Sequence, residues 1–178
     1  MVSNNQRVKR AQIVDAAKEV LATQGLAACT ARAVADASPL TKSAIHYYFR
    51  DVDEIVDVAM AEHVDAMLVG LRRAAHEAVA GERLWRVVEA YLATFADRPH
   101  AAFLWFEYWV AVSRRASVGA AAAMLDRVRD LLVEVLDVSE PDETADRVLS
   151  WLLGTIVQQQ VRPRSSAVLR SELARVVE

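Results

Sequence analysis

Residues 41–49 read Thr-Lys-Ser-Ala-Ile-His-Tyr-Tyr-Phe. A cation, two hydroxyls, an imidazole and phenols are donors suited to phosphate oxygens and base edges. On a helix, Ile45 and Phe49 stand four apart and share one buried face. Lys42, Ser43, Ala44, His46 and Tyr47 are then left largely outward. These side chains are short or polar, as a helix lying in a DNA major groove requires. Lys42 is the best base reader among them, because lysine pairs with the acceptors of guanine.

No other residue set suggests a reaction. The chain has no Gly-rich phosphate loop, no His/carboxylate metal spacing and no nucleophile elbow. Its one cysteine, Cys29, has no base near it in sequence and cannot form an internal disulfide. No enzyme activity, metal or cofactor is therefore expected. A second concentration of chemistry is aromatic: Trp85, Tyr91, Phe95, Phe103, Trp105, Phe106, Tyr108 and Trp109. These could line an apolar pocket with polar handles or simply fill a core, and composition fits both.

Positioning the 41–49 segment takes supporting helices. Ile13, Ala16, Ala17, Val20 and Leu21 recur at helical spacing, and Gly25 closes that helix. Thr30 caps a short second helix containing Ala33, Val34 and Ala37. Ser38-Pro39-Leu40 is a turn, and Thr41 caps a third helix over about 42–48. Asp51 to Glu54 reads as a capping box opening a long helix that fades near Gly81. Further helices follow at about 82–96, from Pro99 to a break at Ser117 and Gly119, at about 120–137, at 142–161 ended by Pro163, and at about 166–177. No strand pattern competes. The fold expected is all-α: a three-helix DNA-binding domain, 1–50 with its motif at about 30–49, and a helical effector-binding and dimerisation domain, 51–178.

The run from Val34 to Phe49 resembles the DNA-binding signature of the TetR family, whose recognition helix ends in an aromatic cluster and Phe. Ile13, Ala16, Ala17, Gly25 and Thr30 upstream, and Asp53, Glu54 and Ile55 downstream, stand where that family has matching residues. The resemblance implies that Thr30 and Tyr47 contact backbone phosphates. It places Thr41, Lys42, Ser43, Ala44 and His46 against phosphates and base edges. Three positions depart from the pattern. Pro39 stands for a turn glycine, His46 for a common Tyr, and Val52 for a common phosphate-binding Lys. The departures shift weight onto Lys42, Arg32, Tyr47 and Arg50.

The resemblance also implies a homodimer, a palindromic operator, repression as the default and a small-molecule effector bound within the body. The amphipathic stretches at 120–137 and 142–161 suit a four-helix bundle between subunits. Leu125, Val128, Leu132, Leu149, Leu152, Leu153 and Ile156 are its candidate seam, although the same residues could serve one subunit's core. His63, Met67, Tyr91, Phe95, Trp105, Tyr108 and Trp109 are the candidate effector residues, which suit an apolar or aromatic molecule. A body that binds a protein partner is the rival reading.

Composition agrees with a folded helical protein. Hydrophobic residues make up 54% and charged residues 25% of 178 residues, with only five Gly and four Pro, which argues against disorder and against many turns. The net charge of −3 conceals a polarity. Residues 1–50 hold seven Lys/Arg against three acids, a net +4, so the remainder carries −7. A basic head on an acidic body suits phosphate contact by the head alone. The N-terminus lacks the apolar core of a secretory signal, and the stretch 99–112 is too short to span a bilayer. A cytoplasmic protein without membrane contact is expected.

Overall fold

The computed structural model describes residues 4–96, 99–115 and 118–178, with side chains throughout except at 96 and 99–102. The expected break at Ser117 lies outside the described residues. Among those residues the chain is helical without strands. The helices are α1 (Asn4–Gln24), α2 (Ala31–Asp36), α3 (Lys42–Tyr48), α4 (Val52–Glu77), α5 (Arg83–Ala96), α6 (Pro99–Ser113), α7 (Gly119–Val135), α8 (Pro141–Val161) and α9 (Ser166–Val177).

Two compact units emerge, Met1–Val64 with Leu104–Ala120, and Asp65–Phe103 with Ala121–Glu178. In the first, Ile13, Val14, Ala17 and Val20 of α1 are buried with Val34 of α2, Ile45 of α3 and Ile55 and Val56 of α4. The spacing of the α1 residues is the three-and-four repeat of one buried helical face. Thr30 and Thr41 cap α2 and α3 by accepting the N–H groups of Ala33 (3.1 Å) and Ala44 (3.3 Å). Each cap satisfies a helix donor that has no partner inside its helix.

The last turns of α6 belong to this unit and are fastened to α4 by polar contacts. Tyr108 Oη donates to Asp57 Oδ1 at 2.9 Å, and Arg115 Nη1 donates to the same oxygen at 2.9 Å. Arg115 Nη2 also reaches Asp53, at 2.9 Å. The Tyr108 side chain is fully buried, and burial, then the Asp57 hydrogen bond, push its phenol well above the usual range. The buried phenol therefore stays protonated and keeps donating.

In the second unit, Trp85, Val88, Tyr91 and Phe95 of α5 are buried with Val148, Leu152 and Ile156 of α8 and Leu169 and Leu173 of α9. Met67, Leu68 and Leu71 of α4 and Met124, Leu131 and Leu132 of α7 are buried in the same unit. Arg72 of α4 pairs with Glu134 of α7 at 3.2 Å, and Arg129 of α7 with Asp146 of α8 at 2.6 Å. These pairs are largely exposed and each adds little to stability.

Four local details differ from the sequence expectation. A 3-10 turn, Leu26–Ala28, follows α1. Ala37 terminates α2 from outside it instead of lying within. The long helix α4 ends at Glu77, four residues before Gly81. The capping box at its start is shifted by one residue. Asp51 Oδ1 accepts the Glu54 N–H at 2.8 Å as a box requires, but Glu54 accepts the N–H of Arg50 (2.9 Å) in place of that of Asp51. Arg10 of α1 holds the other oxygen of this carboxylate at 3.0 Å.

Candidate nucleic-acid interface

Ile45 is 1% exposed and Phe49 2%, whereas Tyr47 is 73% exposed. Thr41, Lys42, Ser43 and His46 are exposed and Ala44 is partly so. One side of α3 is therefore locked into the head, and the other presents the residue types suited to a groove. Phe49 is not in the helix. It follows α3 in extended conformation (φ −133°) while its N–H still donates to the Ile45 carbonyl at 2.9 Å. The four-residue spacing buries both anchors even though the helix ends between them.

The turn before α3 is made without any left-handed residue. Glycines 25 and 81 alone have positive φ among the described residues. Ser38 performs the turn by hydrogen bonding, its Oγ accepting the Leu40 N–H at 3.2 Å and donating to the Ala35 carbonyl at 3.3 Å. A proline at 39, with its φ preset, fits such a turn.

Arg10 is the positioning residue that sequence reading did not single out. Its guanidinium donates to the Tyr48 carbonyl at the C-terminus of α3 and to Glu54 of α4. It also stacks 3.9 Å from the centre of the Phe49 ring. A cation at a helix C-terminus satisfies free carbonyls and opposes the helix dipole. The only sequence signal was a basic residue just before the buried run of α1. Its partners lie 38 and 44 residues away, a separation that no local pattern reveals.

The remaining cations differ in freedom. Arg32 and Thr30 are exposed at the start of α2. Arg32 makes only a 3.9 Å approach to Asp36, a pairing too weak to hold it from a phosphate. Arg50 is drawn to Asp51 at 2.9 Å. Hydrogen bonds from the Glu54 N–H and Arg50 hold the Asp51 carboxyl below its usual range.

Residues 13–59 match the family profile described as bacterial regulatory proteins, tetR family. Over that span the head is similar to the DNA-binding part of that family. The fold of the whole chain is shared more widely. A member of the TetR family from Streptomyces coelicolor A3 is 22% identical, covers 96% of this chain and 98% of its own length, and superposes with a TM-score of 0.76. The multidrug binding protein EbrR, complexed with imidazole, is 21% identical with coverage of 96% and 95% and a TM-score of 0.79. The fatty acid degradation regulator FadR from Bacillus halodurans is 18% identical, with coverage of 95% and 94% and a TM-score of 0.67. No curated protein matches the sequence. The TetR-family match ends at residue 59, so it covers the head and the first turns of α4 but none of the second unit.

The candidate effector residues of this chain fall in both units. Trp105, Tyr108 and Trp109 of α6, with His63 of α4, belong to the first. Trp105 packs beside Tyr108 (ring centres 6.3 Å) and Trp109 (5.8 Å). The indole nitrogens of Trp105 and Trp109 are buried without an acceptor among the described residues. Met67, Tyr91 and Phe95 belong to the second unit and are all buried. Tyr91 meets Phe95 edge-on at 5.3 Å.

The candidate seam residues divide by exposure. Val128, Leu132, Leu152 and Ile156 are in the interior of the second unit. Leu125, Leu149 and Leu153 are half-buried and keep a surface that a second subunit could cover. Sequence reading could not separate these groups, because a helix with a wide apolar stripe looks the same for either use. Cys29 is buried, and burial pushes its thiol up to about 11, which keeps it protonated and unreactive at neutral pH. Among the described residues, no group of three or more His, Cys, Asp or Glu could hold a metal ion. No helix among them is long and apolar enough to cross a membrane.

Proposed function

We propose that this chain is a ligand-responsive transcriptional repressor that binds a palindromic operator as a homodimer. The observation that carries the DNA-reading part is the two-sided α3, with Ile45 and Phe49 buried and Thr41, Lys42, Ser43, His46 and Tyr47 exposed. Lys42 and His46 read base edges, with Ser43 and Ala44 allowing close approach. Thr30, Arg32 and Tyr47 hold phosphates, which fixes register without specifying sequence. Thr30 and Thr41 serve at once as caps and contacts.

One head this small reads few base pairs, and pairing two doubles the site. Leu125, Leu149 and Leu153 remain as seam candidates. An effector acts by preferring a state in which the two heads are misaligned for DNA, and its differential affinity sets the size of the response. The unsatisfied indole nitrogens of Trp105 and Trp109 and the complexes of EbrR with imidazole and malachite green support a small-molecule effector over a protein partner. The protein works in the cytoplasm, and no catalytic step is assigned to it.

Selection of bound duplexes from a random pool, repeated with candidate ligands, tests this reading. A palindromic consensus whose recovery falls with a ligand is expected. Recovery of no consensus, or of an unpaired half-site alone, overturns it.

A further inference from the structure

The helix α3 has only seven residues, too few to hold its own shape without neighbours. Ile45 and Phe49 fix which face is buried, but they leave the tilt of the last turn open. That turn carries His46 and Tyr47, both exposed, and its final carbonyls have no partner within the helix. Tyr47 stands edge-on against Tyr48, ring centres 5.0 Å apart, so whatever holds Tyr48 also aligns the Tyr47 phenol.

Arg10 of α1 holds it. The guanidinium donates to the Tyr48 carbonyl and to Glu54 Oε1, the latter at 3.0 Å, and lies 3.9 Å from the centre of the Phe49 ring. Glu54 Oε2 accepts the Arg50 N–H at 2.9 Å. A single cation thus joins α1, the end of α3 and the start of α4 across the joint at 48–54. Charge-assisted bonds of this kind are stronger than neutral ones, and a partly buried pair is screened less than a surface one. A guanidinium so engaged, with Glu54 offsetting its charge, has little left to give a phosphate. In this Arg10 differs from Lys42 and Arg32, which are exposed.

We propose that Arg10 is a positioning residue for DNA reading: it makes no contact with the duplex, and it sets the last turn of α3 so that Tyr47 and His46 meet their targets. The assignment rests on the reading of α3 as the recognition helix.

Titrations with the selected operator over a range of salt test it, with thermal melts to show that each variant folds. Arg10→Gln should weaken binding at least tenfold and leave the slope of log affinity against log salt unchanged. A lost phosphate contact would instead lower that slope by about 0.9 for each subunit, and such a drop overturns the proposal. Arg10→Lys keeps the charge, but one ammonium cannot bridge a carbonyl and a carboxylate while lying flat on a ring. It should weaken binding at least threefold, and full affinity overturns the clamp. Tyr47→Ala gives the readout that a purely structural role would not move. Its effect should be at least fivefold in the wild type and less than twofold in Arg10→Gln, because a phenol already misplaced has little to lose. Equal losses in the two backgrounds, or none in the wild type, overturn the link from Arg10 to Tyr47. Where Arg10→Gln does not fold, Arg10→Lys takes its place in this cycle. Wild-type affinity in a folded Arg10→Gln overturns the positioning role and leaves the regulator reading standing. A wild type that selects no operator overturns that reading, and this role with it.

Discussion

Lys42 and Arg32 are both exposed cations of the head, and the proposed reading gives them different work. Lys42 opens α3, the proposed recognition helix, one residue after its cap. Replacing it with Ala should weaken operator binding by ~1–3 kcal/mol and relax base preference at one position per half-site. Equal affinity of the variant and the wild type for the selected operator would refute that role. Arg32 stands at the start of α2, so Arg32→Ala should weaken all duplexes alike and flatten the dependence of affinity on salt. A loss confined to particular sequences would count against a phosphate contact. The exposure of such side chains was legible from residue type and spacing alone. Arg10 was not, because its value lies in partners on two other helices. Glu54 is legible only in part, since a capping-box pattern does not say which N–H the carboxylate will take.

At the scale of elements, two joints decide how α3 is presented. The first is the exit from α1. Gly25 has φ +81° and ψ 176°, a region that only glycine enters without strain. Space is not the constraint, since the nearest atom to an added Cβ is Glu107 Oε2 at 3.8 Å. Gly25→Ala should therefore cost ~1–3 kcal/mol through the backbone alone, read as a lower midpoint in urea. An unchanged midpoint would show that the turn relaxes. The second joint is the passage from α3 to α4. Hydrogen bonding by the Arg50 N–H, with Arg10, holds the Glu54 carboxyl below its usual range. A depressed folded value means that the contribution is present at neutral pH and is lost as acid protonates the folded carboxyl. Wild-type stability should fall from about pH 5 to about pH 3, and Glu54→Gln should show a shallower fall. Parallel curves for the two proteins would remove Glu54 from the acid response. Pattern reading found both joints, Gly25 from its place after an apolar repeat and Asp51–Glu54 from its acids. The 3-10 turn and the shifted cap went unseen because residue type alone specifies neither.

At the scale of the whole molecule, charge and burial carry different messages. The net +4 of residues 1–50 against −7 for the rest directs phosphate toward the head, and that asymmetry is independent of folding. Assembly is less directly written. Sedimentation at micromolar concentration should give a dimer, and a monomer there would refute the palindromic reading. Sequence alone determined the helical class, the order of the helices and the two faces of α3. All of these follow from local periods of three and four residues, from caps and from turn chemistry. Tertiary structure decided the rest. It showed which apolar stripes serve the interior, with Leu132, Leu152 and Ile156 buried within one subunit. It tied Tyr108 and Arg115 to Asp57 across more than fifty residues. A stripe records only that a face avoids water, and what covers that face depends on residues far away in the chain. The α3 segment was readable because its two demands, burial on one side and exposure on the other, are both met within nine residues.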